Sequence, residues 1–357
     1  MTHCLKCDKL PTLATGHLAV YFWPPLGHTT AKLKSILKDY DEFAPIEGGL
    51  TFSIKSQDMP ELIHKIDLKL SQSEKQDTNC LLQENRRQPN LADFRCVTSL
   101  QKMTGLYGSK WLLDILEQKR MTSMFQPIVH AQHPNVPFAH ECLLRWYDEN
   151  QQLNSPARLF KSAQDADLIF PLDRAAREIH IRNAAAADMP SKIFVNFAPT
   201  AIYDPNNCLK STFKVIREVG IDPANIVFEV VETERISDPE HLKNILAAYK
   251  QQGFGVALDD LGSGHSTLNM LGALKPDYVK LDMEMIRDVH KDRFKSELVR
   301  KIVELSHSFD IKVVAEGIET KEEAAWLVSQ DVDFMQGFHF AKPDKTPKKT
   351  LDRRAAA

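Results

Sequence analysis

Between Pro134 and Lys342, short apolar runs rich in β-branched residues alternate with polar turns and amphipathic stretches. The runs predict strands over Phe138–Trp146, Lys192–Phe197, Ile226–Val231, Gly255–Asp260, Asp277–Asp282, Lys312–Glu316 and Val332–Phe340, with an earlier one over Phe125–Val129. Between them, helical periodicity marks Asp238–Gln252, Arg293–Ser308 and Lys321–Ser329. Runs such as IVFEVV and KVVAEG are nearly continuous in apolar residues, as expected of parallel strands covered on both faces. Eight strands alternating with helices over ~220 residues predict an α/β fold, a TIM-like (β/α)8 barrel. A doubly wound open sheet is the competing architecture. It would want a glycine-rich dinucleotide turn after its first strand, and none is present.

The first hundred residues have a different texture. His17–Trp23 and Gly49–Ile54 read as strands, Thr30–Tyr40 and Asp58–Gln72 as helices, and Asn79–Leu82 as a further short strand. Asp58 is an N-cap candidate, with Pro60 in the first turn. The expected organisation is a small α+β domain over residues 1–100, of regulatory character, then a linker over 101–120 built on an amphipathic helix, Leu106–Arg120. The barrel follows over 121–345 and a loose basic tail over 346–357. The polar stretch QENRRQPN (83–90) marks the first boundary.

Composition narrows the function classes. The chain has 357 residues, 45 Lys and Arg against 48 Asp and Glu, and a net charge of −3. That balance gives no general footprint for duplex nucleic acid or an anionic membrane, and the basic tail is expected to be a solvated end. Hydrophobic content of 43% supplies ample core and argues against long disorder. No apolar window is long enough for a transmembrane helix, and the start MTHCLKCDKL has no signal core, so a cytoplasmic location is expected. Six cysteines in such a chain default to thiols.

The informative feature is where charged and amide residues fall. Glu141 lies inside the apolar run FAHECLLRW and Asn196 near the end of IFVNF. Glu229 and Glu232 belong to VFEVVE, Asp259 and Asp260 end VALDD, and Lys280 precedes Asp282 in VKLD. Glu316 and Glu319 follow in VVAEGIE, and Gln336 opens QGF. Charged side chains are rarely buried unless paired or metal-bound. One such acid is best explained by a structural salt bridge. Seven strands in succession, each delivering an acid, amide or lysine, would converge at the C-terminal mouth of a barrel. Several carboxylates around one lysine repel one another, and cations relieve that repulsion. Oxygen ligands without a His or Cys cluster favour Mg²⁺ or Mn²⁺ over Zn²⁺. Adjacent acids such as Asp259–Asp260 suit a ligand bridging two metals, an arrangement used in phosphate-ester hydrolysis. The alternative is a barrel isomerase or aldolase with one Mg²⁺ and a Schiff-base lysine at Lys280.

These motifs together resemble the EAL-domain family, the cyclic di-GMP phosphodiesterases of bacterial signalling, over about Met121 to Pro343. They are FQPIV (125–129), ECLLR (141–145), VNFAP (195–199), FEVVE (228–232), DDLGSGHSTL (259–268), PDYVKLD (276–282), AEGIE (315–319) and QGFHFAKP (336–343). The resemblance implies that Glu141, Asn196, Glu229 and Asp259 hold one divalent metal. Asp259 would bridge to a second, with Asp260 and Glu316 as further ligands. Lys280 would orient the nucleophilic water, and Glu319 and Gln336 would complete the surrounding network. Glu232 would anchor the loop Leu261–Ser266 at the second-metal site and dimer interface. Gln126 and Arg145, with Pro343 in the last motif, would meet the substrate. The implied reaction opens one phosphodiester of cyclic di-GMP to linear pGpG with two Mg²⁺ or Mn²⁺, in a homodimer.

The departures from the family pattern are few. Cys142 replaces the signature's alanine and, by strand alternation, should pack away from Glu141. Leu261, Ser263, His265 and Thr267 replace the loop's usual Phe, Thr, Tyr and Ser. Outside the barrel, Cys4-x2-Cys7 beside His3 is half a zinc motif, read as ordinary thiols ahead of metal binding. FWPPLG (22–27) reads as a hydrophobic turn, and His339 as a hydrogen-bonding residue of the last strand. The rival reading is a catalytically silent cyclic di-GMP receptor acting through protein contacts. Retention of every expected metal ligand argues against it.

Overall fold

The period-two pattern of the barrel strands builds two stacked interior layers, visible in a computed structural model that describes residues 10–84, 88–231, 238–261 and 267–351. The strands are β6 (Met121–His130), β7 (Pro137–Tyr147), β9 (Lys192–Phe197), β10 (Ile226–Val231), β11 (Gly255–Leu261), β12 (Tyr278–Leu281), β13 (Lys312–Ala315) and β14 (Phe334–Met335); a short β8 (Leu153–Asn154) hangs on β7. They follow in the order β6-β14-β13-β12-β11-β10-β9-β7, and β6 pairs with β7 to close the ring. The lower layer is apolar: Ile128, Ala139, Phe194, Val227, Ala257, Val314 and Phe334, with Phe138 and Tyr278 packed against them. Two positions from each strand's member of this layer, on the same face, the residue turns polar. Around the ring these are Gln126, Gln336, Glu316, Lys280, Asp259, Glu229, Asn196 and Glu141.

The barrel departs from eight strand–helix repeats in one respect. β6 runs antiparallel to both neighbours, β7 and β14. Its link to β7, residues 131–136, is far shorter than the dozen or so residues a parallel crossover requires, so the pair forms a hairpin. The last strand is also shorter than the run Val332–Phe340. The chain turns at Gly337, whose added Cβ would fall 2.0 Å from the Ile318 carbonyl oxygen. His339 therefore lies outside the strand, donating its backbone N–H to Ile318. The end of the barrel and the start of the expected loose tail, residues 344–351, are tied down. Asp344 pairs with Phe125, His140 contacts the Lys348 carbonyl, and Leu351 N–H donates to Asn135.

The chain divides into two compact units, Met1–Lys119 with Pro156–Leu172, and Arg120–Ser155 with Asp173–Ala357. The first contains β1 (His17–Trp23), β2 (Asp41–Ile46), β3 (Gly49–Lys55), β4 (Asn79–Gln83) and β5 (Thr98–Ser99) in the antiparallel order β2-β3-β1-β4-β5. Helices Gly27–Leu37 and Met59–Lys69 follow β1 and β3, giving a split β-α-β arrangement. Leu33, Ile36, Leu62 and Ile66 of these helices join Val20, Phe22 and Phe52 in one core. The helix expected over Leu106–Arg120 is two, Leu100–Gly108 and Lys110–Glu117, broken where Ser109 leaves helical geometry at φ −106° and ψ 25°. Helix Ala157–Asp165 groups with this unit. Gly105 lies so close to it that an added Cβ would sit 2.1 Å from the Asp165 carbonyl oxygen.

Candidate active site

At the mouth of the barrel one ammonium faces a ring of carboxylates. Lys280 Nζ lies 2.6 Å from Glu316, 3.0 Å from Glu229, 3.2 Å from Asp259 and 3.8 Å from Glu141, and its side chain is 1% exposed. Burial works against its charge, but Asp259, Glu141, Glu229 and Glu316 outweigh burial and hold it well above the usual lysine range. A Schiff-base lysine needs the opposite shift, so this environment disfavours the aldolase alternative.

The acids show the reverse strain. Burial pushes the fully buried Glu229 well above the usual carboxylate range, opposed by Lys280 and reinforced by Glu141, Asp259 and Glu316. Both its carboxylate oxygens are buried; Oε1 has the Lys280 ammonium at 3.0 Å, and no donor reaches Oε2 among the described residues. Burial raises Glu316 in the same way, with Lys280 opposing. Asp260 is pushed up to about 6, first by burial and then by Asp259.

A local irregularity brings Asp260 to the cluster. Successive strand residues face opposite sides, so Asp259 and Asp260 would not share a face in regular β structure. Here the pairing of β11 with β12 slips between Leu258 and Leu261, and Asp260 has φ +54°. The inserted residue is a bulge. As a result Asp259, Asp260 and Glu316 each place a carboxylate oxygen within 4.8 Å of the others, a group able to share a cation.

A chain of amides fixes the opposite side of the ring. Gln336 Nε2 donates to Glu141 Oε2 at 2.7 Å and to Gln126 Oε1 at 3.2 Å. Asn196 Nδ2 donates to Glu141 Oε1 at 3.2 Å, and Gln126 Nε2 to the Ala341 carbonyl at 3.3 Å. Cys142 is buried, facing the other side of its strand from Glu141.

The sequence-derived residues do not all gather. Glu141, Asn196, Glu229, Asp259, Asp260, Lys280, Glu316, Gln336 and Gln126 form one network, directly or through a shared partner. Glu319 does not join the carboxylates around Lys280. It is half exposed in a two-pronged pair with Arg287 at 2.5 and 2.7 Å. Arg145, four residues beyond Glu141 on β7, is half buried and donates to the Leu144 carbonyl at 2.7 Å. Pro343 is half buried, just before Asp344 pairs with Phe125. Glu232 and loop residues 262–266, with Ser263 and His265, lie outside the described residues, as do His3, Cys4 and Cys7.

Residues 109–343 match the EAL domain. The chain belongs to the EAL-domain family. Among its relatives is the Escherichia coli K12 protein named "Probable cyclic di-GMP phosphodiesterase PdeG", 32% identical over 229 residues, covering 61% of this chain and 44% of that protein. The E. coli K12 cyclic di-GMP phosphodiesterase PdeR is 31% identical over 206 residues, covering 57% of this chain and 31% of that one. The chain thus spans less than half the length of these EAL relatives. A solved standalone EAL protein from Vibrio cholerae O395, with c-di-GMP bound, is 34% identical with a TM-score of 0.61, covering 66% of this chain and 98% of that one. Among the described residues, no helix is long and apolar enough to cross a membrane.

Proposed function

We propose that this EAL chain hydrolyses one phosphodiester bond of cyclic di-GMP to linear pGpG, using two divalent cations, Mg²⁺ or Mn²⁺. One observation carries the reading: five carboxylates, Glu141, Glu229, Asp259, Asp260 and Glu316, cluster about the single Lys280 ammonium. With all five ionised, four negative charges would be left uncompensated in a largely buried place, and two divalent cations would balance them. Glu229 Oε2, buried without a hydrogen-bond donor among the described residues, is the clearest fit to an ion. The all-oxygen donor set suits Mg²⁺ or Mn²⁺. Glu141, Asn196, Glu229 and Asp259 would hold one cation, and Asp259, Asp260 and Glu316 the other. Bound there, the cations would supply an acidified water and Lewis-acid polarisation of the phosphoryl oxygen.

The chain's own groups do the positioning. Lys280, kept protonated by its neighbours, serves as a hydrogen-bond donor to the attacking water and not as a base. Gln336 holds Glu141 Oε2 and Asn196 holds Oε1, fixing the carboxylate's orientation. Arg145 and Gln126 would receive phosphate and nucleotide, with Pro343 beside them. Glu319 would complete the surrounding network, and the loop-anchoring role expected of Glu232 falls outside the described residues. A homodimer, a cytoplasmic location and a regulatory role for residues 1–100 belong to the same proposal. The naming of PdeG and PdeR as phosphodiesterases and the c-di-GMP bound to the Vibrio cholerae protein support it.

The test is direct: incubate purified protein with cyclic di-GMP and Mg²⁺ or Mn²⁺ and separate the products by chromatography. Conversion to pGpG that stops on chelation is expected. Unchanged substrate with both ions would overturn the proposal.

A further inference from the structure

The barrel wall behind Asn196 and Glu229 contains a buried ion pair that the proposed chemistry does not use. In helix Ile169–Ala186, Asp173 Oδ2 lies 2.7 Å from Arg177 Nη1, one helical turn on. Their side chains are 4% and 0% exposed. Arg177 is among the largest fully buried side chains of the described molecule. Such a pair is costly to desolvate, and an apolar pair of similar volume often serves stability as well or better. Its presence calls for a role beyond packing.

The other carboxylate oxygen supplies one. Asp173 Oδ1 accepts a hydrogen bond from the Ala198 backbone N–H at 2.8 Å. Ala198 follows β9 directly, two residues after Asn196, so this bond pins the chain where the strand leaves the barrel. Tyr249, fully buried, lies beside the Arg177 guanidinium. Its ring stacks on Phe228 with centroids 4.0 Å apart and meets Phe197 edge-on at 5.1 Å. Phe197 and Phe228 immediately adjoin Asn196 and Glu229 and, by strand alternation, face outward where those two face inward. The outward contacts therefore set where the inward ligands sit.

Resting on the proposed metal-dependent function, we propose that Asp173 is a positioning residue for Asn196, with Arg177 as its buried counter-charge and as the link through Tyr249 to the strand of Glu229. The carboxylate touches neither substrate nor cation in this scheme. It works by holding one backbone amide, and what matters is an acceptor at Oδ1 and not the charge itself.

Two double variants of the full chain separate positioning from packing. Asp173→Leu with Arg177→Met replaces the pair by apolar groups and deprives Ala198 N–H of its acceptor. Asp173→Asn with Arg177→Met also removes both charges but keeps a side-chain carbonyl oxygen at the same place. Asp173→Ala can replace the leucine if the larger side chain prevents folding. Mn²⁺ binding to chelator-treated protein is followed by the EPR signal of the free ion, with circular dichroism confirming the fold. The leucine variant should bind Mn²⁺ about 10-fold more weakly than the unmodified chain, the size typical for loss of a group supporting a ligand. The asparagine variant should stay within about 2-fold, because only a hydrogen-bond acceptor is required. Equal Mn²⁺ affinity in the two folded variants, whether undiminished or equally reduced, would overturn this inference and leave the proposed function standing. Failure of the unmodified chain to bind Mn²⁺ would overturn both.

Discussion

The two ends of the barrel carry similar residues and put them to opposite uses. At the mouth, Lys280 is surrounded by carboxylates that outnumber it, and Glu229 Oε2 sits buried with no hydrogen-bond donor among the described residues. At the other end, Asp333 takes Lys312 Nζ on one oxygen at 2.8 Å and His307 Nε2 at 2.8 Å on the other, which also accepts the Val313 N–H at 2.9 Å. Burial there would raise Asp333, but Lys312, Val313 and His307 outweigh it and hold the acid below its ordinary value. Both clusters are acid–base groups at strand ends. One has its charge matched and its lone pairs satisfied, and the other does not. Uncompensated buried charge is what marks a ligand site; a salt bridge alone marks only a well-capped strand.

Breaking the mouth should have the largest effect. Asp259→Ala and Glu141→Ala should abolish turnover of cyclic di-GMP, with Asp259 the more severe because its oxygens serve both proposed cations. Near-normal pGpG formation by either purified variant would refute that assignment. Removing the lysine should hurt differently. Lys280→Met leaves its carboxylates without their internal partner, destabilising the metal-free protein by about 3–5 kcal/mol, as expected when one member of a buried charge cluster is lost. Urea unfolding with and without Mn²⁺ would measure this, and added Mn²⁺ should recover part of the loss.

pH should drive the two ends in opposite directions. Glu229, Glu316 and Asp260, the last at about 6, are raised in the fold above the ordinary carboxylate value. The folded mouth therefore binds more protons than the unfolded chain. Its metal-free stability should fall as pH rises from ~5 to ~7.5, starting just above the ordinary carboxylate value of about 4. Protons compete with cations, so the apparent Mn²⁺ affinity should rise over the same interval. The depressed Asp333 contributes stability above its unfolded value, and that is lost as pH falls through the folded one. Thermal melts from pH ~7.5 down to ~2, with and without metal, would reveal both, the loss at the mouth above pH ~5 and that at Asp333 below ~4. The smallest effect belongs to Asp333→Asn: roughly 1 kcal/mol of stability, typical for one partly exposed charged hydrogen bond, with pGpG formation unchanged. A large loss of activity there would erase the contrast between the two ends.

Much of the mouth was legible because its signal is local. An acid, amide or lysine placed two residues beyond an apolar one, strand after strand, survives any uncertainty about how the strands pair. What depended on pairing was less visible. The reversal of β6 follows from a link too short for a crossover, yet hydropathy alone does not distinguish the two directions. The bulge at Asp260 needs a positive φ that an aspartate tolerates but does not announce. The AEGIE motif groups Glu319 with the catalytic network, whereas Arg287, distant in sequence, takes both its oxygens. Arg177 is invisible in the sequence for the opposite reason: a basic residue in an amphipathic helix ordinarily faces water, and only the packed helix shows it fully buried.

Under the proposed function, this mouth takes up two divalent cations. Counting Mn²⁺ bound per chain, by EPR titration of chelator-treated protein against Glu229→Gln, tests it most directly. Two ions per unmodified chain, with binding weakened in the variant, is the result the charge balance predicts. No specific binding, or full binding retained by Glu229→Gln, would contradict it.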